Sequence, residues 1–348
     1  MTNRRQFLQT ATLGIAASVP GLARGSELEA SQTRPAPAAS PSIIDWHAHW
    51  VGPQVVALLG SRTSPRPPQG AGWFDIDARL RRMDEAAVQR QILSWVGAAY
   101  DGVLGPAEAR PIWRAQNDDV AAVVKKYPAR FSGLATLPTA NMTWAAEELE
   151  RAHTQLGLIG AVLPLDAFVT LAGARALAPV FAVAQKHRSH IFVHRGAAAP
   201  DIPGQYPETG ATNPYFGLAA PVAAGARPAG TPGDNLPART ALATATHLAT
   251  GVITLALTDF LDAFPDVTVQ VAMMGGAISY LAEQIQMAAE ETGNPVPAKR
   301  FRSVYLDTGQ SGRGPRNIAV AARCGAPIAS CSDRTVDPRS RSYQPWNR

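Results

Sequence analysis

The sequence predicts an α/β fold, a (β/α)8 barrel of the TIM type, and three observations carry that expectation. Apolar strand-like runs alternate with helix-period segments, eight such runs can be counted, and polar residues gather where several of them end. The runs cover 42–45, 90–96, 131–136, 158–163, 190–193, 267–272, 304–307 and 327–330. Helix-period segments lie between them at 75–88, 106–126, 143–155, 174–187, 244–263, 276–292 and 315–324. A helix after each strand returns the chain to the starting edge, so the strands pair parallel. An open doubly wound sheet would want a phosphate-cradling glycine turn after an early strand. Gly210, Gly217, Gly225 and Gly230 fall instead in one long connection.

Taken in order, the chain begins with Asn3-Arg4-Arg5-Gln6-Phe7-Leu8, an apolar stretch from Ala11 to Val19, and Pro20-Gly21-Leu22-Ala23. This pattern resembles a twin-arginine export signal over 1–24, which implies the twin-arginine export machinery as a partner and a periplasmic or exported address. Residues 25–41, rich in Ser, Ala and Pro, read as a flexible linker, and 42–348 as the barrel. Pro128 and Gly293 stop their helices, and Glu147, Glu148, Glu150 and Arg151 are placed on the exposed face of the third helix. The Ala/Pro/Gly-rich stretch 197–240 is far longer than an ordinary βα connection and would lie over the barrel mouth, as a lid or substrate-shaping loop or as a passive insertion. After Asp333 only a short tail without helical period remains, so the last covering helix is expected to be missing.

A chain of 348 residues with 46% hydrophobic content can bury a large core. Removing 1–24 takes three arginines and no acid, lowering the formal net charge from +5 to +2. With no Lys/Arg stripe interleaved with aromatics, nucleic acid is not an expected partner, and no apolar run is long enough for a membrane span. Two cysteines, Cys324 and Cys331, make no disulfide framework.

The chemistry gathers at strand ends. Ile43-Ile44-Asp45-Trp46-His47-Ala48-His49 places two imidazoles two residues apart on an extended segment, so both point to one face and can reach one ion. Strand five ends in His194-Arg195-Gly196 and strand eight in Ser332-Asp333. Because the ends of barrel strands converge at one mouth, His47, His49, His194 and Asp333 form a plausible protein set for one divalent metal ion, Zn²⁺ being the first choice. Such a centre would act on a small-molecule substrate.

Several further pieces fall in a familiar order: Arg82-Met83-Asp84-Glu85 before Gln91-Ile92-Leu93-Ser94, Tyr127-Pro128-Ala129-Arg130-Phe131 running into Gly133-Leu134-Ala135-Thr136-Leu137-Pro138, Ala146-Glu147-Glu148-Leu149-Glu150-Arg151, Phe264-Pro265-Asp266 and Gly275-Gly276. With Asp45-Trp46-His47-Ala48-His49 they resemble the amidohydrolase-related family that includes aminocarboxymuconate-semialdehyde decarboxylase. The resemblance implies metal ligands at His47, His49, His194 and Asp333. It also implies decarboxylation or hydrolysis of a small carboxylated or cyclic substrate through a metal-activated water, with a histidine after strand six as base. No lysine ends strand four, which argues for one metal rather than two. The chain departs at Met273-Met274-Gly275-Gly276, where relatives read His-x-Gly-Gly, and Met273 cannot accept a proton. Asp333 could stand in as the catalytic base, and His247 is a second candidate against an ordinary helix-surface role. Arg195 would pair with a substrate carboxylate or form a structural salt bridge. The rival reading is a degenerate, non-catalytic barrel that binds metal or small molecules. A homodimer is common for such barrels, but no interface is legible.

Overall fold

The computed structural model describes residues 43–59, 75–95, 106–196, 236–293, 301, 303–309 and 328–329. The segments read as an export signal and a linker, most of the 197–240 connection, the helix expected at 315–324 and Asp333 lie outside the described residues.

Strands β1 (Ile43–His49) and β2 (Val88–Ser94) are followed by β3, which runs Phe131–Gly133 and resumes after Leu134 as Ala135–Thr136. Then come β4 (Gly160–Pro164), β5 (His190–His194), β6 (Thr268–Val271), β7 (Val304–Asp307) and β8 (Ile328–Ala329). Every recorded pairing is parallel and joins neighbours in sequence. The eight expected strands are thus present in order, with the ladder broken only at Leu134. Leu134 N donating to Leu93 O at 2.9 Å and Thr136 Oγ1 donating to Trp95 O at 3.1 Å span that break, and Asn117 holds Thr136, donating to its O at 2.9 Å and accepting from its N at 2.7 Å.

The sheet curls strongly. In a flat sheet β1 and β7 would lie six strand spacings apart, roughly 29 Å. Instead His47 of β1 meets Asp307 of β7 at 3.0 Å, Phe192 of β5 packs against the same imidazole, and Gln270 of β6 donates to Trp46 O at 3.3 Å. That curvature encloses an interior. Among the described residues no hydrogen-bonded pairing joins β8 to β1.

The helices are α1 (Pro53–Leu59), α2 (Ile76–Glu85), α3 (Pro106–Lys126), α4 (Met142–Thr154), α5 (Leu171–Ala176), α6 (Ala178–His187), α7 (Leu236–Leu257) and α8 (Ile278–Glu291). Asp75, Asn141 and Thr170 each accept a backbone N–H of the first turn and so fix where α2, α4 and α5 begin. Three expectations need correction. The helix at 174–187 is two helices hinged at Leu177, and Pro179, in the first turn of α6, suits a restart there. The helix at 244–263 begins at Leu236, ends at Leu257 and is followed by a separate 3-10 turn, Phe260–Ala263. Glu148 is not on an exposed face but buried, receiving Arg114 at 3.2 Å, Asn117 at 2.8 Å and Arg151 at 2.6 Å. A buried carboxylate needs partners of this kind.

One core fills the interior and the sheet–helix layer, with Leu93, Phe131, Leu163, Phe192, Val271 and Leu306 inaccessible or nearly so. A smaller cluster around Val55, Trp95 and Trp113 seats α1 on α3. No helix among the described residues is long and apolar enough to cross a membrane.

Candidate metal centre

Strand β1 runs through the H-x-H pair, so alternation puts His47 and His49 on one face, and both are buried. Pro164 of β4 is in register with His194, the last residue of β5. The convergence is tight. His47 Nε2 stands 3.0 Å from His49 Nε2, which stands 3.2 Å from His194 Nε2. Among the described residues these three form the group of side chains able to hold a metal ion.

The other nitrogen of each ring is engaged elsewhere. His47 Nδ1 faces Asp307 Oδ2 at 3.0 Å, His49 Nδ1 faces Ser94 Oγ at 3.1 Å, and His194 Nδ1 faces the Arg195 carbonyl at 2.9 Å. A carbonyl oxygen can only accept, as can an ionised carboxylate, so Nδ1 carries the proton in His194 and His47. Their Nε2 atoms then present lone pairs. Burial first, and the neighbouring His47 next, push His194 down to about 3, and burial with His47 and His194 holds His49 well below the ordinary histidine value. Ser94 Oγ can donate to His49 Nδ1, which lets the third Nε2 offer its lone pair to the same ion. The donor set therefore fits a divalent ion, with the hydrogen bonds at Nδ1 aiming each ring.

Asp307 is the site residue the sequence reading passed over. Its Oδ2 accepts from His47 Nδ1 and from Gln270 Nε2 at 2.7 Å, and its Oδ1 accepts from Met273 N at 2.8 Å and Gly309 N at 3.0 Å. Burial alone would raise its carboxyl pKa, but His47, the Gln270 amide and the Met273 N–H outweigh it and keep the group below the usual carboxylate range. The backbone of β1, which carries His47 and His49, is pinned from behind. Asp45 accepts from His47 N at 3.1 Å and from Gln91 Nε2 at 2.7 Å, while Arg79, fully buried, donates to Gln91 at 2.9 Å and to the His49 carbonyl. Burial lowers the Arg79 guanidinium to about 10, so it stays charged.

The Met273-Met274-Gly275-Gly276 turn has four consecutive positive-φ residues. Two of them are methionines, for which that region is costly, by about 1–3 kcal/mol each. Gly276 is required: a β-carbon there would come 2.0 Å from the Ala245 carbonyl of α7. Met273 contributes its backbone N–H to Asp307 and no titratable group. Arg195 Nη1 lies 3.4 Å from Thr244 Oγ1. Asp333, the fourth expected ligand, lies outside the described residues. A cavity of about 630 Å³ opens between α1, α2 and α3, but none of the three imidazoles lines it.

A family model described as Amidohydrolase matches residues 44–339. The chain belongs to the amidohydrolase family. Similar curated proteins include a gamma-resorcylate decarboxylase of Polaromonas sp., 39% identical over 87 residues that make up 25% of this chain and 27% of that protein. Another is the 2-amino-3-carboxymuconate-6-semialdehyde decarboxylase of Dictyostelium discoideum, 29% identical over 35% of this chain and 34% of that one. The chain thus aligns with only about a quarter to a third of these relatives. Solved structures extend the likeness in fold. The 2,6-dihydroxybenzoate decarboxylase from Rhizobium superposes with a TM-score of 0.58 at 20% identity, covering 84% of this chain and 88% of the other. The dihydroxybenzoic acid decarboxylase from Polaromonas sp., which holds manganese and 2-nitroresorcinol, gives 0.59 at 20% identity, covering 84% and 86%. Between them they support the barrel that the strand order describes.

Proposed function

We propose that this amidohydrolase family member is a metal-dependent decarboxylase of a small aromatic acid. The observation that carries this reading is the meeting of three imidazole Nε2 atoms from β1 and β5 at the mouth of the barrel. His47, His49 and His194 would hold one divalent ion, with Asp333 as the fourth ligand. Similar proteins named as decarboxylases of hydroxylated benzoic acids supply the substrate class. When bound, the ion would supply a positive anchor for the oxygens of the acid and would lower the cost of negative charge there. Manganese in the similar structure favours a hard, oxygen-accepting ion as much as zinc.

The chain's own residues do the rest. Asp307 and the Arg195 carbonyl fix the tautomers of His47 and His194, so that lone pairs and not N–H groups face the reacting centre. Arg195, beside His194 and 3.4 Å from Thr244 Oγ1, would take a substrate carboxylate as its acidic partner. Hydrolysis of a cyclic substrate would use the same ligands; the decarboxylase relatives weigh against it.

The test is turnover. Full chain loaded with Mn²⁺ or Zn²⁺ is offered 2,6-dihydroxybenzoate and related acids, and release of CO₂ with formation of the ring product is followed. Metal-dependent release that stops with His47→Ala is expected. A protein that binds metal yet releases CO₂ from none of them is instead the degenerate barrel that Met273 would suit. We also propose export by the twin-arginine route, on the strength of Arg4-Arg5 and the apolar stretch after them. Cell fractionation should place the wild-type chain outside the cytoplasm and retain an Arg4→Lys/Arg5→Lys variant inside.

A further inference from the structure

One segment of α7 lies between the ends of β4 and β6. At Gly251 a β-carbon would come 2.5 Å from Leu165 Cδ1 in the 3-10 turn after β4, so helix and turn are in close contact. At Ala245 the same helix accepts from Ala277 N at 2.8 Å, just past the Met-Met-Gly-Gly turn. His247 falls between these two contacts. Its Nε2 stands 3.3 Å from Oδ1 of Asp166, which belongs to that 3-10 turn. Asp166 N donates to Gly196 O at 3.3 Å, and Arg195 reaches Thr244 less than one turn before His247. The couple therefore adjoins the two residues that follow His194.

Its electrostatics are those of a proton store. Burial pushes the Asp166 carboxyl up to about 7, with Arg195 opposing, and burial followed by Arg195 pushes His247 below the ordinary histidine value. Among the described residues Arg195 is the further charged group acting on either. Near neutral pH Asp166 can therefore still carry a proton, 3.3 Å from an imidazole whose own protonation is disfavoured. A group of that kind can give a proton and recover it at the same pH.

We propose that Asp166 and His247 form the proton-transfer couple of this site, taking the part that Met273 cannot play. This rests on the decarboxylase reading above. The couple gives its proton to the ring carbon that bears the carboxylate. A C–H bond forms there, the C–C bond to the carboxylate breaks, its electron pair restores the aromatic ring, and CO₂ leaves. Solvent then returns a proton to the couple, so carboxylate plus one proton taken up from solvent goes to arene plus CO₂ with no oxidant or reductant.

The experiment compares metal-loaded wild type with Asp166→Asn, His247→Gln and the double variant. It reads kcat, KM, their pH profiles and metal content, together with denaturant stability of the apo chains against pH. A loss of about 10²- to 10⁴-fold in kcat is expected for each single variant, with metal content unchanged and KM little moved. The double variant should be no worse than the worse single, because the two act as a unit. Wild-type activity should fall as pH rises through about 7, and Asp166→Asn should lack that limb. The stability readout needs no turnover. A carboxyl raised in the folded state favours folding below its ordinary value of 3.8, and that advantage is lost as pH rises through about 7. Asp166→Asn should therefore gain on wild type across that interval. Variants that turn over within about threefold of wild type with the same profile overturn the couple and leave the decarboxylase reading intact. So does a stability difference flat with pH. A wild type that binds metal and releases no CO₂ sinks that reading, and this role with it.

Discussion

His194→Ala is expected to abolish tight metal binding and, with it, metal-dependent turnover. The ring supplies one of three Nε2 atoms from the far side of the mouth, from β5 rather than β1, so the pair left behind is a two-point chelate on one strand. Loss of a hydrogen-bond partner behind a ligand typically costs 10- to 100-fold in metal affinity. Loss of the ligand itself should exceed that range. Thermal melts give the cleanest measurement. At metal concentrations of about 100 times Kd the wild type should gain about 2.7 kcal/mol, seen as a rise in Tm, and the variant should show no such rise at that concentration. A metal-dependent Tm rise that survives the substitution would place the ion elsewhere.

Much of this centre could be read from the sequence because its chemistry and its pattern coincide. An H-x-H pair on an extended run fixes two imidazoles on one face by alternation alone, and His194 follows an apolar run of the same kind. Asp307 also ends such a run, yet a lone aspartate after apolar residues carries no spacing signal. Its role depends on the curl of the sheet that brings β7 to β1 across 260 residues of chain. The same limit hid Asp166: its meeting with His247 depends on how a helix after β5 packs on the turn after β4. Glu148 was misplaced for a different reason. Helical periodicity put it among charged neighbours, and only the approach of Arg114 and Asn117 from α3 makes burial of its carboxylate tolerable. The break between α5 and α6 depends on Leu177, an apolar residue that no helix-stop pattern marks.

Asp307→Asn is expected to damage both the fold and the metal site, although it changes a single atom. The carboxylate accepts from four donors, two at each oxygen, and offers none. An asparagine must turn its amide N–H₂ toward one of those pairs. Turned toward Met273 N and Gly309 N, it sets donors against backbone N–H groups in a turn already built from positive-φ residues. Turned toward Gln270 and His47, it can be satisfied at His47 only if that ring moves its proton from Nδ1 to Nε2. An Nε2–H group cannot ligate a cation, so metal affinity should fall by 10- to 100-fold or more. Leaving buried donors unsatisfied should also cost the apo chain about 1–3 kcal/mol in denaturant unfolding. The pH dependence separates this from a simple packing defect. A carboxyl held below its ordinary value stabilises the fold above its unfolded pKa, near 3.8, and that contribution disappears as pH falls through the lowered folded value. The gap between wild type and Asp307→Asn should therefore be widest at neutral pH and close in acid. A constant gap would mean that the charge on Asp307 contributes nothing and that only its shape matters.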